Sequence, residues 1–311
     1  MSCYKPIITN GFNKNVPISM KKITTLKQYQ YLINYDWKNQ AMLPCRKCIG
    51  CKTDHAKEWA LRAKLENKNS PNNFFITLTY KDEYIPKNQY GKNTLKQKDL
   101  TTFINSLRKH FERQNHNGIK YLASSEYGTK TKRPHYHICF FNLPITDTEL
   151  LKKKKGNNYY ISKTIDKIWN KGMHVIGKTT YESVGYTARY TLKKLEKIDY
   201  KKNDIEPEKL TMSKGIGLKF FEENWEKIYK YDYIPTEERN FKPPKYYDRK
   251  LKEINPKLLE EIKKHRQEIF IQNLENEINS QQILLTEIMG NKQRRLHKNL
   301  KKISQPLRNE N

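Results

Sequence analysis

The sequence predicts an α+β fold, a central antiparallel sheet with flanking helices, preceded by a cysteine-rich segment and followed by a helical tail. Three observations predict it. Between residues 74 and 195 the segments read strand, helix, strand, strand, helix, strand, helix. The second and third strands are joined by a turn-rich link that permits antiparallel pairing. From about residue 250 onward, apolar residues recur every three or four positions, the mark of amphipathic helix.

Residues 1–45 are polar and weakly patterned. Residues 52–66 carry Ala56, Trp59, Ala60 and Ala63 at helical spacing, and NKNSPNN (67–73) breaks that pattern. FFITLTY (74–80) is β-branched and aromatic, a buried strand. Residues 95–113 place Leu100, Phe103, Ile104, Leu107 and Phe111 on one helical side. IKYLASSE (119–126) and HYHICFF (135–141) are strands, with YGTKTKRP between them. A basic run, Lys152 to Lys155, precedes an expected helix at 161–170. MHVIG (173–177) is a short strand, and residues 180–195 read as a helix that tolerates Gly185. MSKGIGLKFFEENWEKIYK has a Gly-rich turn and then a helical stripe. FKPPKYYDRKL contains a Pro-Pro stop, and Asn255-Pro256 interrupts the helical tail. The expected divisions are 1–66 (Cys-rich segment and helix), 67–200 (core), 201–250 (extension) and 251–311 (basic amphipathic tail).

Charge indicates the partner class. The chain has 61 Lys+Arg against 33 Asp+Glu, a net +28, which repels itself unless something anionic neutralises it. Its 21 tyrosines interleave with lysines, which suits stacking on unpaired bases beside a phosphate backbone. A membrane surface would need an amphipathic helix with bulky apolar anchors, and none stands out. No run of about 18 apolar residues predicts a membrane span, and the N-terminus lacks signal-peptide features. A cytosolic protein is expected.

His135 and His137 flank Tyr136 within a strand, so both imidazoles project from one face. Imidazoles about 6–7 Å apart at the backbone can close on one divalent cation. Alone, such a pair fits a buried, hydrogen-bonded histidine equally well. Glu126 ends the preceding strand, and a hairpin would bring its carboxylate beside both rings, leaving metal positions open for a phosphate oxygen. Tyr186 and Tyr190 share one helical face, and Lys193 continues the stripe. A phenol, with pKa near 10, is a poor nucleophile at neutral pH, and a neighbouring ammonium stabilises its phenolate. Two tyrosines at this spacing also serve to pack a helix on a sheet.

Cys45, Cys48 and Cys51 follow CxxCxxC, and His55 stands four residues later. Five cysteines, three of them closely spaced, look like a metal site in a reducing compartment rather than a disulfide framework. Zinc is the candidate metal, with Cys3 ahead of His55 as fourth ligand. Iron–sulfur is the alternative, and three reduced cysteines in a tight turn is the other. Cys139 lies in a strand and reads as core.

In order and separation, FFITLTY, EYGTKTKRPHYHICFF and GYTARYTLKK resemble the three motifs of HUH endonucleases. More closely, the chain resembles the replication initiators of gokushovirus-type microviruses, which are small single-stranded DNA phages. PCRKCIGC, EWALR, IWNKGMHVIG, MSKGIGLKFF and FKPPKYYDRKL extend the resemblance over most of residues 40–250. It implies the HUH nickase fold. It implies Mg²⁺ or Mn²⁺ held by His135, His137 and Glu126. It also implies attack on the scissile phosphate by Tyr186 or Tyr190, leaving a 5′-phosphotyrosine and a 3′-hydroxyl that a polymerase extends. Lys193 stands to Tyr190 as a lysine stands to the tyrosine of single-tyrosine relatives. Tyr136 departs from the pattern, which usually has an aliphatic residue there.

The resemblance further implies that the partners are the single-stranded origin and the replicative form, with host polymerase and helicase, in the cytoplasm of the infected bacterium. No P-loop pattern is present, as suits an enzyme without its own helicase. An HUH transposase or relaxase, and a non-catalytic basic nucleic-acid-binding protein, are the competing readings. The first lacks PPKYYDR and PCRKCIGC, and the second leaves the ordered Glu126, His135, His137, Tyr186, Tyr190 and Lys193 set unexplained.

Overall fold

The computed structural model describes residues 3, 7–10, 23–25, 40–128, 131–154, 156–180, 183–185, 187–188, 200–237, 239–281 and 290–298. The chain forms two compact units, Ala56–Ile228 and Met1–His55 with Tyr229–Asn311.

In the described residues of the N-terminal segment, β1 (Ile7–Asn10), β2 (Ile23–Thr25) and β3 (Gln40–Leu43) form an antiparallel sheet in the order β2-β1-β3. The sequence pattern predicts no strands there. Runs of three or four residues are too short for alternation to show. Helix α1 (Ile49–Asn69) begins inside the cysteine cluster and runs three residues past the expected end.

The larger unit continues with β4 (Phe74–Tyr80), α2 (Gln97–Glu112), β5 (Lys120–Tyr127) and β6 (Pro134–Phe141). Next come β7 (Thr148–Lys154), β8 (Asn157–Ser162), α3 (Lys163–Ile168), β9 (Gly172–Lys178), β10 (Leu210–Met212) and α4 (Leu218–Tyr231). Its seven strands form one antiparallel sheet in the order β10-β5-β6-β4-β9-β8-β7.

The two faces of this sheet differ. On one, Ile76, Leu78, Tyr136, Ile138 and Phe140 pack against the α2 stripe of Leu100, Phe103, Ile104, Leu107 and Phe111, with Ile165 of α3. Each such side chain contributes about 1.5–3 kcal/mol on full burial. On the other, Leu122, Cys139 and Phe141 are covered by Ala60 and Ala63 of α1, by Val184 and Ala188, and by Ile216.

Two motif phrases meet in this unit. Arg62 of EWALR donates to the Ile216 carbonyl of MSKGIG (3.0 Å), and Gly217 N donates to Glu66 (2.7 Å). In IWNKGMHVIG, Trp169 donates to the Thr79 carbonyl (3.0 Å). Gly172 crosses that carbonyl so closely that a Cβ would lie 1.9 Å from it.

The segment after residue 145 corrects the sequence reading. Lys152–Lys154 belong to β7, not to a linker, and β7 pairs with β8 as an edge hairpin. The helix expected at 161–170 is confined to Lys163–Ile168, where Ser162 accepts from Ile165 N (3.2 Å) as its N-cap. A lysine-rich edge strand lacks a buried face and so lacks alternation, and its charges discourage edge-to-edge association.

Beyond α4, β11 (Ile234–Pro235) and β12 (Asn240–Phe241) precede α5 (Lys245–Ile254) and α6 (Pro256–Gln281). Asn255 ends α5 and starts α6: its side chain accepts from Leu258 N (3.0 Å) and Pro256 opens the new helix. Asp248 of PPKYYDR accepts from Tyr229 (2.8 Å) and from Arg266 (2.9 Å). No helix among the described residues is long and apolar enough to cross a membrane.

Candidate active site

The antiparallel register of β5 and β6 sets Glu126 opposite His135 and Ser124 opposite His137. Across β4 and β6, Thr77 stands opposite His137 and Thr79 opposite His135. All six side chains therefore belong to one face of the sheet. It is the face that α1 covers further along, at Cys139 and Phe141.

At this polar end, Glu126 Oε2 lies 3.6 Å from His135 Nε2 and 3.7 Å from His137 Nε2. These separations exceed hydrogen bonds. They approach those between ligands bound at about 2.1 Å to one ion. Each of the three residues presents a ligand atom within 4.8 Å of the other two.

Surrounding groups fix the orientations. The Arg133 carbonyl is 3.0 Å from His135 Nδ1, and a carbonyl can only accept. Nδ1 therefore carries the proton and Nε2 the lone pair. Thr77 Oγ1 is 3.0 Å from His137 Nδ1, and Phe75 stacks on the same ring at 5.5 Å between centroids. Ser124 Oγ donates to Glu126 Oε1 (2.7 Å), leaving Oε2 turned toward the imidazoles. Arg133 also donates to Asp82 and to the Tyr80 carbonyl, which holds the turn entering β6 against the end of β4. Two imidazole nitrogens and one carboxylate oxygen suit a divalent ion such as Mg²⁺ or Mn²⁺ and leave positions for other oxygen ligands. Glu126 is buried, whereas the His135 side chain is 17% exposed, so the cluster is reached from solvent past His135.

Tyr186, Tyr190 and Lys193 lie outside the described residues. Their flanks do not. Residues 183–185 and 187–188 are helical. Thr180 and Ser183 exchange side-chain and backbone hydrogen bonds (2.9 and 3.2 Å), a capping box that starts this turn. Val184, Thr187 and Ala188 are buried, and Thr187 Oγ1 sits 3.5 Å from Cys139 Sγ. Cys139 is two residues beyond His137 on the same strand face, about 7 Å along β6.

The family model of the replication-associated protein ORF2 matches residues 73–195, from β4 through the 183–188 turn. Replication-associated protein ORF2 of Spiroplasma virus 4 is 44% identical over 317 residues, covering 99% of each chain. The chain belongs to the phage replication-associated protein family. Replication-associated protein VP4 of Bdellovibrio phage phiMH2K is 32% identical over 265 residues, covering 82% of this chain and 79% of that one. Replication-associated protein ORF4 of Chlamydia phage 1 is 29% identical over 222 residues, covering 67% and 54%. No solved structure matches the chain. The resemblance read from the motifs is thus borne out at the level of the family.

In this replication-associated protein, sequence reasoning found the three candidate ligands and missed what orients them: Ser124, Thr77, Phe75 and the Arg133 carbonyl. Ser124 stands two residues before Glu126, so strand alternation alone puts it on the same face. Thr77 and Phe75 needed the strand order, which motif spacing does not contain. Tyr136, the departure from the HUH pattern, is fully buried on the opposite face. Its hydroxyl pairs with that of Tyr80 (2.7 Å) and donates to the Lys96 carbonyl (2.9 Å), while Tyr80 donates to Asp99 (3.0 Å). Burial raises both phenols well above the ordinary tyrosine value, so this network stays protonated and takes no part in the candidate site's chemistry.

Proposed function

We propose that this chain is a rolling-circle replication initiator of a small single-stranded DNA phage. It nicks an origin strand with a tyrosine of the 186–190 pair and later rejoins the displaced strand. The observation that carries this reading is the Glu126–His135–His137 cluster at the open end of the sheet face on which the 183–188 turn is seated. Membership of the replication-associated family and the net charge of +28 support DNA as substrate.

Glu126, His135 and His137 would hold Mg²⁺ or Mn²⁺. When bound, the ion supplies Lewis-acid polarisation of a phosphate oxygen. Tyr186 or Tyr190 attacks the scissile phosphorus. The phenolic oxygen–phosphorus bond forms as the phosphorus–O3′ bond breaks, and the proton lost from the phenol is balanced by one taken up at O3′. Lys193 stabilises the phenolate and the charge developing on phosphorus. The 5′-phosphotyrosine keeps the energy of the phosphodiester, so rejoining by a 3′-hydroxyl needs no nucleotide cofactor. Two tyrosines allow one to cut at initiation and the other to cut the regenerated origin. Host polymerase and helicase would extend and unwind from the nick.

The test is incubation with Mn²⁺ and labelled single-stranded oligonucleotides tiling the phage genome, followed by denaturing electrophoresis. An SDS-stable protein–DNA adduct on one strand is expected. His135→Ala combined with His137→Ala should abolish the adduct while salt-sensitive DNA binding persists, because lysines supply that affinity. No adduct on any strand would overturn the enzymatic reading.

A further inference from the structure

Four cysteine sulfurs converge away from the sheet. The Sγ atoms of Cys3, Cys45, Cys48 and Cys51 all lie within 4.8 Å of one another. Cys3 and Cys48 are 3.7 Å apart, and Cys45 and Cys51 are 3.9 Å apart. A disulfide needs about 2.05 Å, so these are not oxidised pairs. Four sulfurs placed tetrahedrally about 2.3 Å from one zinc ion are separated by about 3.8 Å.

The backbone around the cluster serves the same end. Each sulfur faces one amide: Cys45 N donates to Cys3 Sγ (3.4 Å), Arg46 N to Cys51 Sγ (3.3 Å), Cys48 N to Cys45 Sγ (3.3 Å) and Cys51 N to Cys48 Sγ (3.5 Å). A neutral thiol is a weak acceptor and gains little from such an arrangement. A thiolate gains much more from it, because hydrogen bonds to a charged acceptor are the strong ones. Arg46 adopts a left-handed φ of 58°, a conformation seldom taken by a residue with a side chain, to complete the turn. Cys51 lies in the first turn of α1, where the helix dipole favours negative charge.

We propose that Cys3, Cys45, Cys48 and Cys51 form a closed tetrathiolate site for one structural Zn²⁺, fastening the N-terminal segment to the start of α1. His55 is exposed and is not the fourth ligand, whereas Cys3 is fully buried within the cluster. Four protein ligands leave no position for a reacting water, which separates this site from the open cluster at Glu126. Cys139 lies in the sheet core, outside the set.

The test uses the full-length protein, purified without added metal and analysed for bound metals. One equivalent of zinc, without iron or labile sulfide, is expected. Replacing that zinc with Co²⁺ should give the intense ligand-field and sulfur-to-metal charge-transfer bands of tetrahedral thiolate coordination. Cys3→Ser should weaken the charge-transfer bands, and His55→Ala should leave them unchanged. If Cys3→Ser does not fold, thiol counting decides the matter: four cysteines should be shielded from alkylation in the native protein and released by a chelator under denaturing conditions. Iron with sulfide, absence of any tightly bound metal, or bands altered by His55→Ala would each overturn the proposal.

Discussion

Glu126 and His135 stand directly opposite each other across β5 and β6, with Oε2 of the carboxylate 3.6 Å from Nε2 of the imidazole. That pairing follows from the strand register. The usefulness of the pair depends on the groups behind it, which keep the proton of His135 on Nδ1 and hold Glu126 Oε1 away.

Ser124→Ala removes the donor to Glu126 Oε1. Mn²⁺ affinity should fall by about 10–100-fold, the usual effect of losing a group that orients a ligand. The melting temperature should drop by only about 2–4 °C. Calorimetric titration with Mn²⁺ checks this, and unchanged affinity would show that the hydroxyl does not position the carboxylate. Thr77→Val should act in the same direction through His137.

Tyr136→Phe deletes the hydroxyl shared with Tyr80 and Lys96 beneath the sheet. The buried partners left behind should reduce stability by about 1–3 kcal/mol. Urea unfolding followed by circular dichroism measures it. Mn²⁺ affinity should stay within about twofold, since the phenol lies on the face opposite the candidate ligands. A large loss of metal affinity would contradict that separation.

His174 gives the larger unit a pH dependence. It is buried, its Nε2 accepts from Ser162 N (2.9 Å), and its Nδ1 faces Asp166 (2.9 Å). Burial lowers its pKa below 6.5, outweighing the pull of Asp166 and Asp147 in the other direction. Above pH 6.5 the folded and unfolded chains both hold it neutral. As pH falls below 6.5 the unfolded chain takes up a proton that the folded chain refuses, so stability declines until the lowered folded value is passed. Melting temperatures between pH 8 and 5 should fall more steeply in the wild type than in His174→Gln. Equal slopes would assign the decline to other groups.

Much of this arrangement is legible in the sequence, and the remainder has physical reasons to be hidden. The limits of β4 are read directly from FFITLTY, because a strand buried in mid-sheet has no polar interruption. The α2 stripe is equally plain, since one face meets the core and the other meets water. β7 is hidden because its lysines sit on an exposed sheet edge, where nothing enforces alternation. β10 is only three residues long and is held by its pairing with β5, a contact remote in sequence. The HxH pair and Glu126 are visible as residue types at strand spacing. Ser124 and Thr77 are not, because a hydroxyl on a strand carries no distinguishing pattern until its neighbour is known.

Arg266 explains part of the PPKYYDR phrase. It is 13% exposed and bridges Asp232 (Nε, 2.7 Å) and Asp248 (Nη1, 2.9 Å). Arg266→Ala leaves two carboxylates facing each other. Breaking a fully buried pair costs about 3–5 kcal/mol, and these partly exposed acids place the expected loss at the lower end. Hydrogen exchange in α5 should accelerate. Arg266→Lys should rescue little, because a single ammonium cannot span both acids as the guanidinium does. Full rescue by lysine would mean that charge alone is needed there.

The central claim is that a tyrosine of the 186–190 pair becomes the covalent attachment point of DNA. Mass spectrometry of the DNA-linked peptide tests it most directly. Trypsin cuts after Lys178, Arg189 and Lys193, so Tyr186 and Tyr190 fall in separate peptides, 179–189 and 190–193. The account predicts the nucleotide adduct on one or both of these peptides, on Tyr186 or Tyr190, with none left in the double phenylalanine variant. An adduct on any other residue, or one that survives the double substitution, would contradict it.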